Sequence, residues 1–317
     1  DGKVGPAKPA PKHACAIFAD EAIRFLHEQA EKKGRPFFAY VPFDAPHDPH
    51  IVPDDFPIHY DPDKIPLPPS FLPQHPWDNG EMTVRDEKLL PWPRTPGAVR
   101  AMIAEYWRYI SYLDSQIGRI LDALDASPFA KDTIVVFSAD SGVARGSHGL
   151  IGKQSVYEYD SVRVPLIIAG PGIVADKRTD AMVYLFDVLP TLGKLCGVAS
   201  PNQSDGFDFS ATLADPSKPA RDRMLFAYKN VQRGYTDGRW KVIRYPQVDR
   251  TQLFDLQSDP HEAVNLADKP DQAARIADLT AAMEKEMKAS DDKGELKVAN
   301  PKPAAWSPPA PSAKAVK

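Results

Sequence analysis

The sequence predicts an α/β protein with a mostly parallel central sheet flanked by helices, followed by a small antiparallel α+β subdomain towards the carboxyl terminus. Through most of the chain, short continuous apolar runs alternate with stretches of helical periodicity, which is typical of strands buried between helices. After about Pro201 the apolar runs become short and closely spaced, as in hairpins. The 317 residues, 43% of them hydrophobic, are enough to bury a large core.

The first elements are a helix and a strand. Residues 1–14 are rich in Pro and Lys and are expected to form a loop. A helix is then predicted from Cys15 to Gly34, with Gly34 as a natural C-cap. Its apolar face consists of Phe18, Ala22, Phe25 and Leu26. After Pro36, the run FFAYVPF predicts a strand buried on both faces.

A long irregular segment and a long helix come next. From Asp44 to Pro96 the chain is dense in proline, which predicts an ordered surface excursion without regular structure. A helix is predicted to begin with Thr95 as its cap and Pro96 in its first turn. Its core face has residues three or four apart, namely Met102, Tyr106, Tyr109, Leu113, Ile117, Ile120 and Leu124.

The remaining elements divide between two domains. The runs TIVVFSA and VPLIIAG predict two more buried strands, and LFDVLPTLGKLCG predicts a helix with Pro190 in an early turn. Together with the preceding elements they form an α/β domain over residues 15–200. MLFAYK, RWKVIRY and TQLFDL predict antiparallel strands of a subdomain over residues 201–288, closed by the helix DQAARIADLTAAMEKEMKA. Residues 289–317 have the composition of a low-complexity tail.

Composition excludes two classes of partner. The 39 Lys and Arg residues against 43 Asp and Glu give a net charge of −4, and no dense basic stripe is present, so nucleic acid is not expected as a partner. No apolar run approaches the roughly 18 residues that a membrane span requires.

Cys15 and Cys196 have no metal-binding spacing and are expected to be buried free thiols on helices.

Several polar side chains follow predicted strands, where open parallel sheets bind ligands. FFAYVPF leads to His47 and TIVVFSA leads to Asp140. Asp140 could bind a hard cation such as Ca²⁺ or Mg²⁺, or could satisfy the amides of a turn. Lys153, in a loop with several glycines, could hold an anionic oxygen as a point charge or be a surface lysine. His47 and His148 are candidate substrate contacts, or solvated loop histidines.

Five segments together resemble the sulfatase family of the alkaline-phosphatase-like superfamily: APHDPH, FSADSGVARGSHGLIGK, YEYDSVRVPLIIAGPGI, LFDVLPTLGKLCGV and FDLQSDPHEAVNLAD. The resemblance runs from about Ala16 to Asp268. It implies an alkaline-phosphatase-like fold and hydrolysis of sulfate esters, with sulfated carbohydrate as the usual substrate class. It further implies that Asp140 is a ligand of Ca²⁺, or of Mg²⁺, and that His47 and Lys153 contact the sulfate and the ester oxygen.

The sequence departs from the family pattern at two points. Ser141 follows Asp140, the residue that matches the family's metal ligand, at a position where the family usually has Asn or His as a further ligand. The family's nucleophile is a formylglycine made within a C/S-x-P-x-R motif, and neither Cys15 nor Cys196 lies in one. The match from Ser217 to Arg221 comes too late in the chain for that role. We therefore expect the fold to be incomplete at its amino terminus, with an N-terminal remainder of the same protein carrying the formylglycine and this chain inactive alone.

Three functional hypotheses follow. The leading one is a sulfuric ester hydrolase acting on sulfated carbohydrate or on aryl or alkyl sulfates. The second is a non-catalytic relative that binds sulfated or phosphorylated glycans through His47, His148 and Lys153, which the hydroxyl of Ser141 favours. The third is a phosphoester or phosphonate hydrolase of the same superfamily, because sulfate and phosphate esters have similar charge and geometry. By family habit, the protein is expected to be periplasmic or secreted.

Overall fold

The computed structural model describes residues 12–32, 35–199 and 204–308. The chain forms two compact units. The first consists of the residues up to Pro66 and Gly97–Thr133, and the second of Leu67–Pro96 and the residues from Ile134 onwards.

Two helices build the first unit. Helix α1 spans Ala14–Glu31 and helix α2 spans Pro96–Asp125, which confirms both predicted helices. The predicted C-cap of α1, Gly34, lies outside the described residues. The unit's core joins apolar side chains of both helices and of the segment after α1: Cys15, Ala45, Val52, Tyr109, Tyr112 and Leu113.

The predicted strand FFAYVPF is wrong. These residues form no strand, and Phe38 and Tyr40 are 80% and 78% exposed. An extended segment becomes a strand by pairing its backbone N–H and C=O groups with a neighbour. No strand of the described residues pairs with this segment, and several of its apolar side chains are exposed.

The two strands around the candidate site differ from expectation in direction. Strand β1 spans Val135–Ser138 and strand β2 spans Leu166–Ala169, at the predicted positions. They pair antiparallel, with Val135 opposite Ala169, so the predicted parallel pairing is wrong for them. Ile167 is 61% exposed, although burial on both faces was expected. A continuous apolar run indicates a strand, but it does not encode the strand's direction or its neighbours.

An antiparallel sheet and a helix dominate the second unit, in agreement with the predicted strands near the carboxyl terminus. The sheet has the order β3-β4-β5-β6, formed by Met224–Tyr228, Gln232–Thr236, Trp240–Tyr245 and Arg250–Asp255. Strand β4 was not predicted, because its residues QRGYT lack an apolar run although all five are buried. Helix α5, Ala273–Ala289, packs Met283 against Val242 and Leu253 of the sheet.

Short helices in the second unit and an irregular segment shared by both units complete the fold. Helix α3 spans Val188–Leu195, as predicted, and helix α4 spans Ser210–Ala214. The proline-dense excursion has only short 3-10 turns, at Pro62–Lys64 and Asp86–Leu89, which confirms its irregularity. It does not lie wholly at the surface, because its second-unit portion buries Met82, Glu87 and Arg94, among others.

Both cysteines are free thiols. Cys15 is buried in α1 as expected, whereas Cys196 is exposed, which corrects the expectation of burial there. Among the described helices, none is both long and apolar enough to cross a membrane.

Candidate functional site

Asp140 and Ser141 lie just beyond the end of β1. Asp140 is exposed and Ser141 is half-buried. Beyond them, Gly142 N donates a hydrogen bond of 2.8 Å to Ser161 O, which holds the loop to the chain just before β2. Within the described ranges the Asp140 carboxylate accepts no hydrogen bond and forms no ion pair, so both of its oxygens are open to a ligand.

Asp140 and Ser141 fit a hard cation as part of a ligand set. Carboxylate and hydroxyl oxygens are donors of the right kind for Ca²⁺, which takes about six to eight oxygens. No group of three or more His, Cys, Asp or Glu side chains among the residues that the structure describes could hold a metal ion. A metal at Asp140 therefore needs further ligands besides the His, Cys, Asp and Glu side chains of the described residues.

A tight turn connects Asp140 to Lys153. Ala144 N donates to Gly152 O at 2.9 Å, and Gly146 N donates to Leu150 O at 2.7 Å. The turn requires glycine at position 149, where φ is +70° and a Cβ atom would lie 2.1 Å from the carbonyl carbon of Gln74. The glycines of this segment therefore serve backbone geometry and close packing.

Lys153 follows this turn directly and is half-buried. Its backbone N–H donates to Gln154 Oε1 at 3.0 Å, and Gln154 Nε2 donates to Asp86 Oδ2 at 2.9 Å. The Lys153 ammonium forms no ion pair with any described residue. A fixed backbone with an uncommitted ammonium is suited to binding an anion.

The structure places His148 in the interior. Its ring is 5% exposed and stacks on Tyr157, with centroids 3.6 Å apart and planes 7° apart. Burial lowers the pKa of His148 to about 3, so the ring is neutral near pH 7. Nε2 lies 3.8 Å from Oδ2 of Asp160, whose pKa is raised to about 7, mainly by burial. This neutral ring fills space beneath the turn.

His47 belongs to the first unit, whereas Asp140, Ser141, His148 and Lys153 belong to the second. The His47 side chain is 51% exposed. Its Nδ1 lies 2.8 Å from Asp48 O and 3.5 Å from the carboxylate of Asp48. The imidazole is therefore accessible to a substrate.

The late S-x-P-x-R match has structural partners of its own. Arg221 donates to the buried carboxylate of Asp187 from Nε and Nη2, at 2.9 Å and 2.5 Å. Ser217 is exposed, and its Oγ donates to Asp215 Oδ1 at 2.7 Å. These contacts account for both residues without a catalytic role.

Sequence reasoning missed the buried charges beneath the turn. Glu87 and Arg94 are 3% and 1% exposed, and both contact the turn backbone. The segment RDEKLLPWPR that contains them has no periodic pattern, so a buried acid cannot be told from a solvated one by sequence.

Comparisons with known proteins agree with the motifs. A family profile described as Sulfatase matches residues 4–198, and one described as N-sulphoglucosamine sulphohydrolase, C-terminal, matches residues 146–290. A choline-sulfatase of Rhizobium meliloti is 30% identical over 277 residues, which cover 84% of this chain and 53% of the relative. An ulvan-active sulfatase of Formosa agariphila is 27% identical, over 87% of this chain and 52% of the relative.

A solved structure extends the comparison to the fold. The phosphonate monoester hydrolase of Agrobacterium radiobacter superposes with a TM-score of 0.72 and 25% identity, over 90% of this chain and 62% of that one. The chain thus spans about half the length of the curated relatives it matches. Because the Sulfatase profile covers well over half of its residues, the chain belongs to the sulfatase family of the alkaline-phosphatase-like superfamily.

Proposed function

We propose that the protein carrying this chain is a sulfuric ester hydrolase in which Lys153 binds the sulfate group. The observation that carries the proposal is the state of Lys153: its backbone is held by hydrogen bonds, while its ammonium is uncommitted among the described residues. Family membership supports the reaction type, since the choline-sulfatase and the ulvan-active sulfatase are both sulfatases by name.

The chemistry of sulfate release explains why a cation at this position helps. As the S–O bond breaks, negative charge develops on the bridging oxygen, and a fixed positive charge nearby stabilises that transition state. Lys153 supplies such a charge. The exposed imidazole of His47 is proposed as a further substrate contact that donates a hydrogen bond or a proton to the leaving oxygen. The buried His148 is proposed to support the turn before Lys153.

Asp140 is proposed as a ligand of Ca²⁺, with Mg²⁺ as the alternative, and Ser141 as a neighbouring oxygen donor. The exposed, unpaired carboxylate of Asp140 supports this assignment. A divalent cation supplies Lewis acidity that polarises the sulfate oxygens.

The nucleophile is proposed to be a formylglycine contributed by a part of the protein outside this chain. Neither Cys15, which is followed by Ala-Ile-Phe, nor Cys196, which is followed by Gly-Val-Ala, has the required flanking residues. In the one other match to the motif, from Ser217 to Arg221, Arg221 donates a hydrogen bond to Asp187. The span of about half of the relatives' length is consistent with a further segment.

A sulfated carbohydrate is the substrate class we propose first, and the ulvan-active relative supports it. A small alkyl sulfate is the next candidate, and the choline-sulfatase supports it.

A second candidate function is phosphonate monoester hydrolysis. The likeness to the phosphonate monoester hydrolase favours it, because Lys153 would bind either tetrahedral anion.

The experiment that tests the proposal compares esters with a common aryl leaving group. The protein is expressed from its complete reading frame, and kcat/KM is measured for an aryl sulfate, an aryl phosphate and an aryl phosphonate monoester. We expect the sulfate to have the highest kcat/KM. A higher value for the phosphonate would favour the second candidate, and binding of sulfated sugars without turnover of any ester would favour a non-catalytic binder.

A further inference from the structure

The backbone just before Lys153 is held by a buried ion pair. Glu87 and Arg94 have side chains that are 3% and 0% exposed, with 2.6 Å between Glu87 Oε2 and Arg94 Nη2. Arg94 Nη2 also donates to Glu87 O at 3.0 Å. Burial raises the pKa of Glu87 and lowers that of Arg94 to about 10. Two charges removed from water in this way are costly unless each has several partners.

The partners of this pair are backbone groups of the turn. Glu87 Oε1 accepts hydrogen bonds from Ile151 N at 3.1 Å and from Gly152 N at 2.9 Å. Arg94 Nη1 donates to Gly149 O at 2.9 Å. The pair therefore contacts three of the four residues that immediately precede Lys153.

The backbone after Lys153 is anchored separately, to the antiparallel sheet. Gln232 Nε2 donates to Gln154 O at 3.1 Å, and Lys241 Nζ donates to Val156 O at 2.6 Å. With the chain fixed on both sides, the position of the Lys153 Cα depends on the two anchors. Of these two anchors, the one formed by Glu87 and Arg94 contacts Gly152, the residue adjacent to Lys153 on its amino side, whose carbonyl oxygen also accepts from Ala144 N.

We infer that Glu87 is a positioning residue for Lys153, resting on the proposed function of that lysine: together with Arg94, it fixes the turn so that the ammonium meets the ester anion. A carboxylate is suited to this task because it accepts several N–H groups at once. Both carboxylate oxygens accept from N–H groups, Oε1 from Gly152 N and Oε2 from Arg94 Nη2. In Glu87→Gln, the new NH₂ group therefore faces an N–H donor in either orientation of the amide. The turn then relaxes, and the backbone from which the Lys153 ammonium extends is displaced.

A double-mutant cycle separates this role from a general effect on folding. In the protein from its complete reading frame, kcat and KM for an aryl sulfate are measured for Glu87→Gln, Lys153→Ala and the double variant, per folded molecule. We expect Glu87→Gln to lower kcat/KM by about 10- to 100-fold, since small misplacements of catalytic groups have effects of this size. In the Lys153→Ala background the same substitution is expected to change kcat/KM by less than about twofold, because its effect passes through Lys153.

A control, a rescue variant and a substitute variant complete the design. Asp187→Asn alters a buried ion pair of the same unit that does not contact the turn, and it is expected to leave kcat/KM per folded molecule unchanged. Glu87→Asp keeps the charge and is expected to restore part of the activity lost in Glu87→Gln. If Glu87→Gln does not fold, Arg94→Lys, which removes the bond to Gly149 O, replaces it in the cycle.

The outcomes that overturn the inference differ from those that overturn the proposed function. Equal losses from Glu87→Gln in both backgrounds would show that Glu87 acts independently of Lys153 and would overturn the positioning role alone. An unchanged kcat/KM in Lys153→Ala would overturn the role of the lysine, and the inference with it.

Discussion

Arg221 is bound to Asp187 through two hydrogen bonds, from Nε to Oδ2 at 2.9 Å and from Nη2 to Oδ1 at 2.5 Å. The Asp187 carboxylate is fully buried and also accepts the N–H groups of Tyr184 and Phe207. This one carboxylate therefore joins the start of α3 to the chain just before β3.

Arg221→Ala is expected to lower the free energy of unfolding by about 3 kcal/mol, because it leaves a buried carboxylate without its counter-charge. Urea unfolding followed by circular dichroism measures the change. Ser217→Ala, in the same S-x-P-x-R match, is the control: Ser217 is exposed, so stability and activity are expected to change little. Loss of activity in Ser217→Ala with unchanged stability would contradict the structural assignment of this segment.

Lys241→Ala is expected to destabilise the fold by about 3 to 5 kcal/mol, since it strands the buried carboxylate of Glu262. The Lys241 and Glu262 side chains are both 0% exposed, with 2.9 Å between Nζ and Oε1. Lys229 forms a comparable contact of 2.8 Å with Glu81, but its side chain is 60% exposed. Lys229→Ala is therefore expected to destabilise the protein far less than Lys241→Ala in the same urea experiment. Equal effects of the two substitutions would refute the argument from burial.

Gly149→Ala tests the geometry of the turn before Lys153. The new Cβ would lie 2.1 Å from Gln74 C at a φ of +70°, so we expect little folded protein at 37 °C. Gly118→Ala is the matched control, because Gly118 lies within α2 and an added Cβ meets nothing within 4 Å. It is expected to stabilise the protein by about 0.5 to 1 kcal/mol. Thermal unfolding curves that shift equally for the two variants would argue against the close approach at Gly149.

His75 makes stability depend on pH. Burial is the main cause that lowers its pKa from 6.5 to about 4, and its Nδ1 lies 2.8 Å from His148 O. Above pH 6.5 the His75 ring is neutral in both the folded and the unfolded chain, and its contribution to stability is fully present. As the pH falls towards 4, the unfolded chain binds a proton that the folded chain does not, so stability falls.

The loss of unfolding free energy attributable to His75 is expected to reach about 3 kcal/mol near pH 4. His75→Asn keeps a donor for His148 O but does not titrate in this range. The difference in unfolding free energy between the two proteins, measured in urea from pH 7.5 to pH 4.5, is expected to shrink as the pH falls. A difference that stays constant would mean that folding does not lower the pKa of His75.

Local signals in the sequence were sufficient for helices α1, α2, α3 and α5 and for most strands, whereas the short helix α4 was not predicted. The three- and four-residue spacing of α2 and the apolar runs of β1, β3, β5 and β6 all correspond to elements. Strand β4 was missed because its burial comes from its neighbours in the sheet and not from its own composition. The parallel pairing expected of β1 and β2 was wrong because pairing direction and partner are non-local properties, as their antiparallel register shows.

For the candidate site, the sequence motifs identified Asp140 and Lys153 as the two ends of one loop, and the structure connects them through a tight turn. The interior position of His148 was not predictable, since a histidine between glycines has no burial signal. Glu87 and Arg94 were not recognised because they lie about 60 residues before Lys153 in a segment without periodicity. Their role depends on tertiary contacts alone.

Sulfate release by Lys153→Ala is the most direct test of the central claim that Lys153 binds the ester anion. With the protein from its complete reading frame and an aryl sulfate substrate, kcat/KM is expected to fall by about 100-fold or more, since one transition-state contact is removed. Lys177→Ala, at an exposed lysine of the same unit, is expected to retain the activity of the unmodified protein. A Lys153→Ala protein that folds normally and releases sulfate at the unmodified rate would contradict the account.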